Sequence, residues 1–97
     1  MDELTVTHEE KGRDGAFFIQ QDGKRVGEMV YVNTSPDVVT IIHTEVGPEL
    51  RGRGAGQVLV EAGVKWAREQ HKQVIAQCPF ARATIEKHPE LQDVLKK

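Results

Sequence analysis

Apolar positions recur with two different periods along the chain, and the change between them divides it in half. The first half reads as strands. Leu4-Thr5-Val6-Thr7 alternates apolar with polar, which predicts a short edge strand. Residues 9–15 are charged and contain glycine, so they predict a loop. Residues 16–20 form the next strand, with Phe17 and Ile19 on one face. Asp22-Gly23 then signals a hairpin, because both central positions of a type I′ turn need positive φ. Residues 25–32 return as a third strand. Val26, Glu28, Val30 and Val32 share one face, and Gly27, Met29 and Tyr31 share the other. Apolar residues on both faces put this strand inside the sheet. Asn33-Thr34-Ser35-Pro36-Asp37 is a turn. Val38, Val39, Thr40, Ile41 and Ile42 have the β-branched composition of a largely buried strand, which Gly47 and Pro48 end.

The period then lengthens to that of a helix, from near Gly54 to about His71. Leu59, Ala62, Gly63, Trp66 and Ala67 make one core-facing stripe, while Gln57, Glu61, Lys65 and Arg68 form the wet side. The small residues Ala62 and Gly63 let this helix lie close to the sheet. Residues 74–78 predict a short buried strand, parallel to the central one through the crossover helix. Pro79 stops it. Residues 82–87 and 89–95 then predict two short helical turns, the second opened by Pro89. No repeat, linker or low-complexity segment interrupts the chain.

Composition narrows the picture. At 97 residues there is room for one domain only. An apolar content of 38% with 29% charged residues fits a folded globular chain. The net charge of −2 argues against bulk electrostatic binding of nucleic acid, and the local cations Arg51 and Arg53 suit a phosphate better than a duplex. One cysteine cannot form an internal disulfide, so a reducing intracellular setting is expected. Met1-Asp2-Glu3 lacks the layout of a signal peptide, and no apolar run approaches the ~20 residues of a membrane span. The expectation is a cytoplasmic protein with no membrane partner.

The chemistry concentrates between strand and helix, in Arg51-Gly52-Arg53-Gly54-Ala55-Gly56. Glycines at alternate positions let backbone approach a ligand closely, and the following helix aims unpaired N–H groups and the positive end of its dipole the same way. A pyrophosphate is the usual occupant of such a turn. Arg51-x-x-Gly54-x-Gly56 resembles the acyl-CoA pyrophosphate loop of the GCN5-related N-acetyltransferases (GNAT). The tail, Gln77-Cys78-Pro79-Phe80 followed by Ile85-Glu86-Lys87-His88-Pro89-Glu90, is similar to a small single-domain branch of that family. The resemblance covers the chain from about His43 to Leu95.

The resemblance implies an α/β (α+β) fold: a mainly antiparallel mixed sheet, splayed at a parallel strand pair, with one main crossover helix and short C-terminal helices. It implies acetyl-CoA as cofactor, with Thr44, Glu45 and Val46 flanking its pantetheine arm. Arg51, Gly52, Arg53, Gly54, Ala55 and Gly56 would hold the pyrophosphate. It further implies an unidentified amine acceptor, on a small molecule or a protein, and a monomer or weak dimer. No metal site is expected.

Cys78 ends the strand beside the expected acyl group. A thiolate there could accept the acetyl group, if a helix N-terminus or a base lowers its pKa. A buried cysteine serving only as a small hydrophobe is the competing reading. His43, late on the central strand, is the candidate base, and Glu45 shares its side-chain parity on an unbulged strand and could act instead or orient it. A strand histidine hydrogen-bonded at the sheet edge is the alternative. Thr84 falls where many members of the family carry a tyrosine that protonates the departing thiolate, and its hydroxyl is a far weaker acid. His8 and His71 read as surface residues, and His88 as a turn residue near the groove mouth. Transfer of acetyl to a primary amine is therefore expected, with a non-catalytic acyl-CoA-binding module as rival. A nucleotide-binding regulatory domain is disfavoured, because no Walker-type lysine and hydroxyl residue follow the glycines.

Overall fold

The computed structural model describes residues 5–50 and 52–96. Five strands form one sheet in sequence order: β1 (Val6–Lys11), β2 (Asp14–Gln21), β3 (Lys24–Ser35), β4 (Val38–Val46) and β5 (Gln73–Ala76). The first four pair antiparallel, and β5 runs parallel to β4. A parallel step needs a crossover, and α1 (Ala55–Glu69) supplies it. Helix α2 (Pro79–Lys87) and a 3₁₀ segment, Pro89–Val94, follow β5. Among the described residues no helix is long and apolar enough to cross a membrane.

Local chemistry accounts for most of these boundaries. The β2–β3 hairpin turns at Asp22 and Gly23, with φ of 53° and 78°. Residues 9–15 depart from expectation. β1 extends to Lys11 and β2 begins at Asp14, so only Gly12 and Arg13 form the turn. An edge strand tolerates charge because one side meets water, and the charges discourage pairing with another chain. Leu4, placed in this strand from sequence, lies outside the described residues.

At its other end α1 closes with a Schellman motif. His71 N–H donates to Arg68 O at 3.2 Å and Lys72 N–H to Ala67 O at 2.8 Å. His71 takes the left-handed position at φ 57°, where glycine is usual.

The core lies between one sheet face and the helices. A Cβ on Gly63 would sit 2.6 Å from Met29 Cε, so α1 approaches β3 as closely as the small-residue pattern predicts. The buried surface of α1 is wider than the predicted stripe. Val60 and Val64 are fully buried, because Ala81 and Ile85 of α2 and Leu91 and Val94 of the 3₁₀ segment complete the same core. Each such valine contributes about 1.5–3 kcal/mol.

His8 also departs from its expected surface position. Its ring stacks on Phe17 at a centroid distance of 4.1 Å, meets Trp66 edge-on at 4.8 Å, and hydrogen-bonds Tyr31 Oη through Nε2. Among the described residues no helix covers the opposite sheet face. There Arg25 covers the Phe18 ring at 3.7 Å, while Ile42 and Ile75 stay about two-fifths exposed.

Candidate active site

The site begins with an irregularity in β4. Between Ile41 and His43 the pairing with β3 slips by one residue, so Tyr31 opposes Ile41 but Val30 opposes His43. Such a bulge re-aims every side chain after it. Before it, Val39 and Ile41 point into the core. After it, Thr44 pairs with Met29 and Val46 with Gly27, so even-numbered residues face the helices. His43 and Glu45 point to the uncovered face, opposite Val30 and Glu28, with His43 Nε2 3.3 Å from Glu45 Oε2. They share a face as expected, since the bulge precedes both.

The parallel pair parts at the same place. The last β4–β5 partners are Ile41 and Ala76, after which the amides of Gln77 and Cys78 both donate to Ile41 O at 3.0 Å. β4 runs on to Val46 with no strand on that side among the described residues. The result is a notch between the diverging chains.

Cys78 sits in the notch, 5% exposed, as the N-cap of α2 rather than as the last strand residue. Its Sγ lies 3.6 Å from Thr44 Oγ1. Pro79 opens the helix and has no N–H, so the free amides of the first turn belong to the next residues. Burial raises the thiol pKa. The Ala81 amide, the Thr44 hydroxyl and the Phe80 and Thr44 amides outweigh it, and the pKa falls below that of an ordinary thiol. The neutral thiol closes no cap bond to the helix, so these groups act chiefly on the thiolate.

A groove of about 410 Å³ adjoins the notch, with the loop at 52–56 on one side and α2 on the other. Gly52 and Gly54 have φ of 80° and 70°, and a Cβ on either would meet only open space. Gly54 caps α1 with no side-chain bond, and the first turn carries no acid. Among the described residues no side chain caps these leading amides, and Gly54, Ala55 and Gly56 line the groove, an arrangement that suits an anion. A Cβ on Gly56 would strike the Phe80 ring at 2.3 Å, so that glycine lets the two walls meet. Ala55 is buried beneath the turn and Arg53 is exposed on it. Arg51 lies outside the described residues.

The structure brings Gly52, Gly54, Ala55 and Gly56 together with Val46 along the groove, and Thr44 with Cys78 at the notch beside it. The sequence pattern predicts neither the separation of Cys78 from His43 and Glu45 onto different faces nor the groove face of α2. The spacing of Phe80, Thr84 and Lys87, one helical face, was the available signal for the latter. Thr84 Oγ1 is bonded back to Phe80 O at 2.9 Å, a local helix bond that occupies its proton.

The model of a family described as GCN5-related N-acetyl-transferase matches residues 16–94. The NMR structure of a GCN5-like protein from Staphylococcus aureus superposes with a TM-score of 0.76 at 33% identity, covering 99% of this chain and 91% of that one. A ribosomal-protein-alanine N-acetyltransferase from Brucella melitensis biovar Abortus 2308 shares the fold at 19% identity and TM-score 0.66, over 80% of this chain and 62% of that one. So does a GNAT family acetyltransferase from Elizabethkingia anophelis with acetyl-CoA bound, at 12% identity and TM-score 0.58, over 67% and 43%. A comparison with curated proteins gave no match. With its parting parallel strands, its uncapped glycine turn and a family match over most of its length, this chain belongs to the GCN5-related N-acetyltransferases.

Proposed function

We propose that the protein is an acetyl-CoA-dependent N-acetyltransferase acting on a primary amine of a small molecule or a protein. The observation that carries the reading is the continuity of three features: uncapped amides at the start of α1, a strand edge left open past Ile41, and a cysteine at the N-terminus of α2 where the two meet. Pyrophosphate, pantetheine arm and thioester of acetyl-CoA ask for such features in that order. The acetyl-CoA held by the Elizabethkingia relative supports the same reading. Bound acetyl-CoA supplies an acyl group activated as a thioester.

The chain's own groups then have assignable work. The Cys78 thiolate attacks the thioester carbonyl, the bond from carbonyl carbon to the CoA sulfur breaks, and the acetyl group rests on Sγ. An acceptor amine entering from the uncovered face attacks that carbon, and Sγ leaves as thiolate. The amine's proton passes to His43, whose imidazole Glu45 orients across 3.3 Å. If the amine attacks the bound thioester directly, His43 and Glu45 keep this role and Cys78 only lines the pocket.

The engaged hydroxyl of Thr84 favours a second reading, an acyl-CoA-binding module without turnover, because it leaves no acid at that position. Free CoA thiol, followed over time with and without a panel of primary amines, separates the two. Amine-dependent release is the expected result. Saturable binding without such release supports the module, and absence of binding contradicts both.

A further inference from the structure

One face of α2 forms the second wall of the groove. Phe80, Thr84 and Lys87 follow one another along it at helical spacing, and with His88, the extended residue just past the helix end, they line the cavity. Phe80 lies nearest the glycine turn, its ring against Gly56 and nearly half exposed. Lys87 stands at the far end, exposed, with no ion pair to a carboxylate among the described residues. His88 beside it is largely covered, and Glu90 Oε2 lies 3.5 Å from its Nδ1. A lysine at a helix C-terminus complements the dipole whatever it faces. Dipole alone does not explain why the cation and the imidazole line the same groove as the uncapped amides.

We propose that Lys87, with His88, forms a second phosphate subsite that reads the 3′-phosphate on the adenosine of acyl-CoA. The proposal rests on the acyl-CoA reading above. The amides at the start of α1 satisfy the pyrophosphate, so a cation across the groove serves a further anion. Acyl-CoA carries one more, a phosphate monoester that is largely dianionic at neutral pH. An ammonium on a flexible stem suits such a group as a point charge. The exposed Phe80 ring between the two positions offers an apolar surface to the adenosine that joins them.

The test compares CoA with 3′-dephospho-CoA by isothermal titration at fixed ionic strength, on wild type, Lys87→Gln and Lys87→Arg. Wild type should bind CoA about tenfold more tightly than the dephospho form, the worth of one charge-assisted contact. Lys87→Gln should abolish that preference by weakening CoA alone, and Lys87→Arg should keep most of it. Equal affinities in wild type, or a Lys87→Gln protein that weakens both ligands by the same factor, would overturn the subsite and leave the acyl-CoA reading standing. If neither ligand binds wild type, both readings fall together. Lys87 is exposed, so unchanged melting of the variants shows that folding is not at issue.

Discussion

Burial and hydrogen bonding pull the acidity of Cys78 in opposite directions, and the amides of the α2 first turn decide the outcome. Alkylation of Cys78 should therefore follow a pH profile whose midpoint lies below that of a free thiol. Thr44→Val, which keeps the shape and removes the hydroxyl, should move the midpoint upward. A midpoint at or above the ordinary thiol value would remove the nucleophile role. His8 gives a prediction of a different kind. Desolvation lowers its pKa, partly offset by the charge of Glu10, while Tyr31, Phe17 and Trp66 hold the neutral ring. Folding thus favours neutral His8. Its contribution is complete above the unfolded pKa near 6.5 and is lost as pH falls through the lower folded value. Melting temperature should drop on going from pH 7 to pH 5, and His8→Gln should flatten that drop. A single-residue alternation in Leu4-Thr5-Val6-Thr7 gave no hint of this ring cluster, because its members come from β1, β2, β3 and α1.

Elements that carry their own turn chemistry were legible from the residues alone. Asp22-Gly23 and Gly54 before α1 each act within a few neighbours, and each stands where expected, whereas α2 begins at Pro79 itself, three residues before the expected start at Arg82. The β4 bulge was not legible. Ile42 looks like its β-branched neighbours, and only pairing with β3 reveals it as the extra residue. The full width of α1 was hidden for a similar reason, since Val60 and Val64 are buried by segments later in the chain. Two substitutions probe element ends. His71→Gly should stabilise the fold by roughly 0.5–1 kcal/mol in denaturant titration, relieving a left-handed residue in the Schellman turn. Gly54→Ala should destabilise it by about 1–2 kcal/mol at φ 70° with no steric clash. On the proposed function it should also weaken acetyl-CoA binding, because the added methyl stands beside the amides assigned to the pyrophosphate.

On the scale of the whole molecule, helices cover one sheet face and leave the other open. On the proposed function, acyl donor and acceptor would approach from opposite sides of the notch where β4 and β5 part. An open acceptor face, with Ile42, Ile75, His43 and Glu45 outward, fits an amine carried on something larger than the pocket. Ligand should also stabilise the domain as a unit. Acetyl-CoA at a hundredfold excess over Kd adds about 2.7 kcal/mol, a rise in Tm of roughly 10 °C or more for a chain this size. No change in Tm would contradict binding.

The most direct measurement is the intact mass of the protein after incubation with acetyl-CoA, on wild type and on Cys78→Ala. The account predicts one acetyl adduct on wild type, none on the variant, and loss of the adduct when a competent amine is added. An adduct that persists on Cys78→Ala, or one that no amine removes, would contradict a productive acyl-cysteine at the notch.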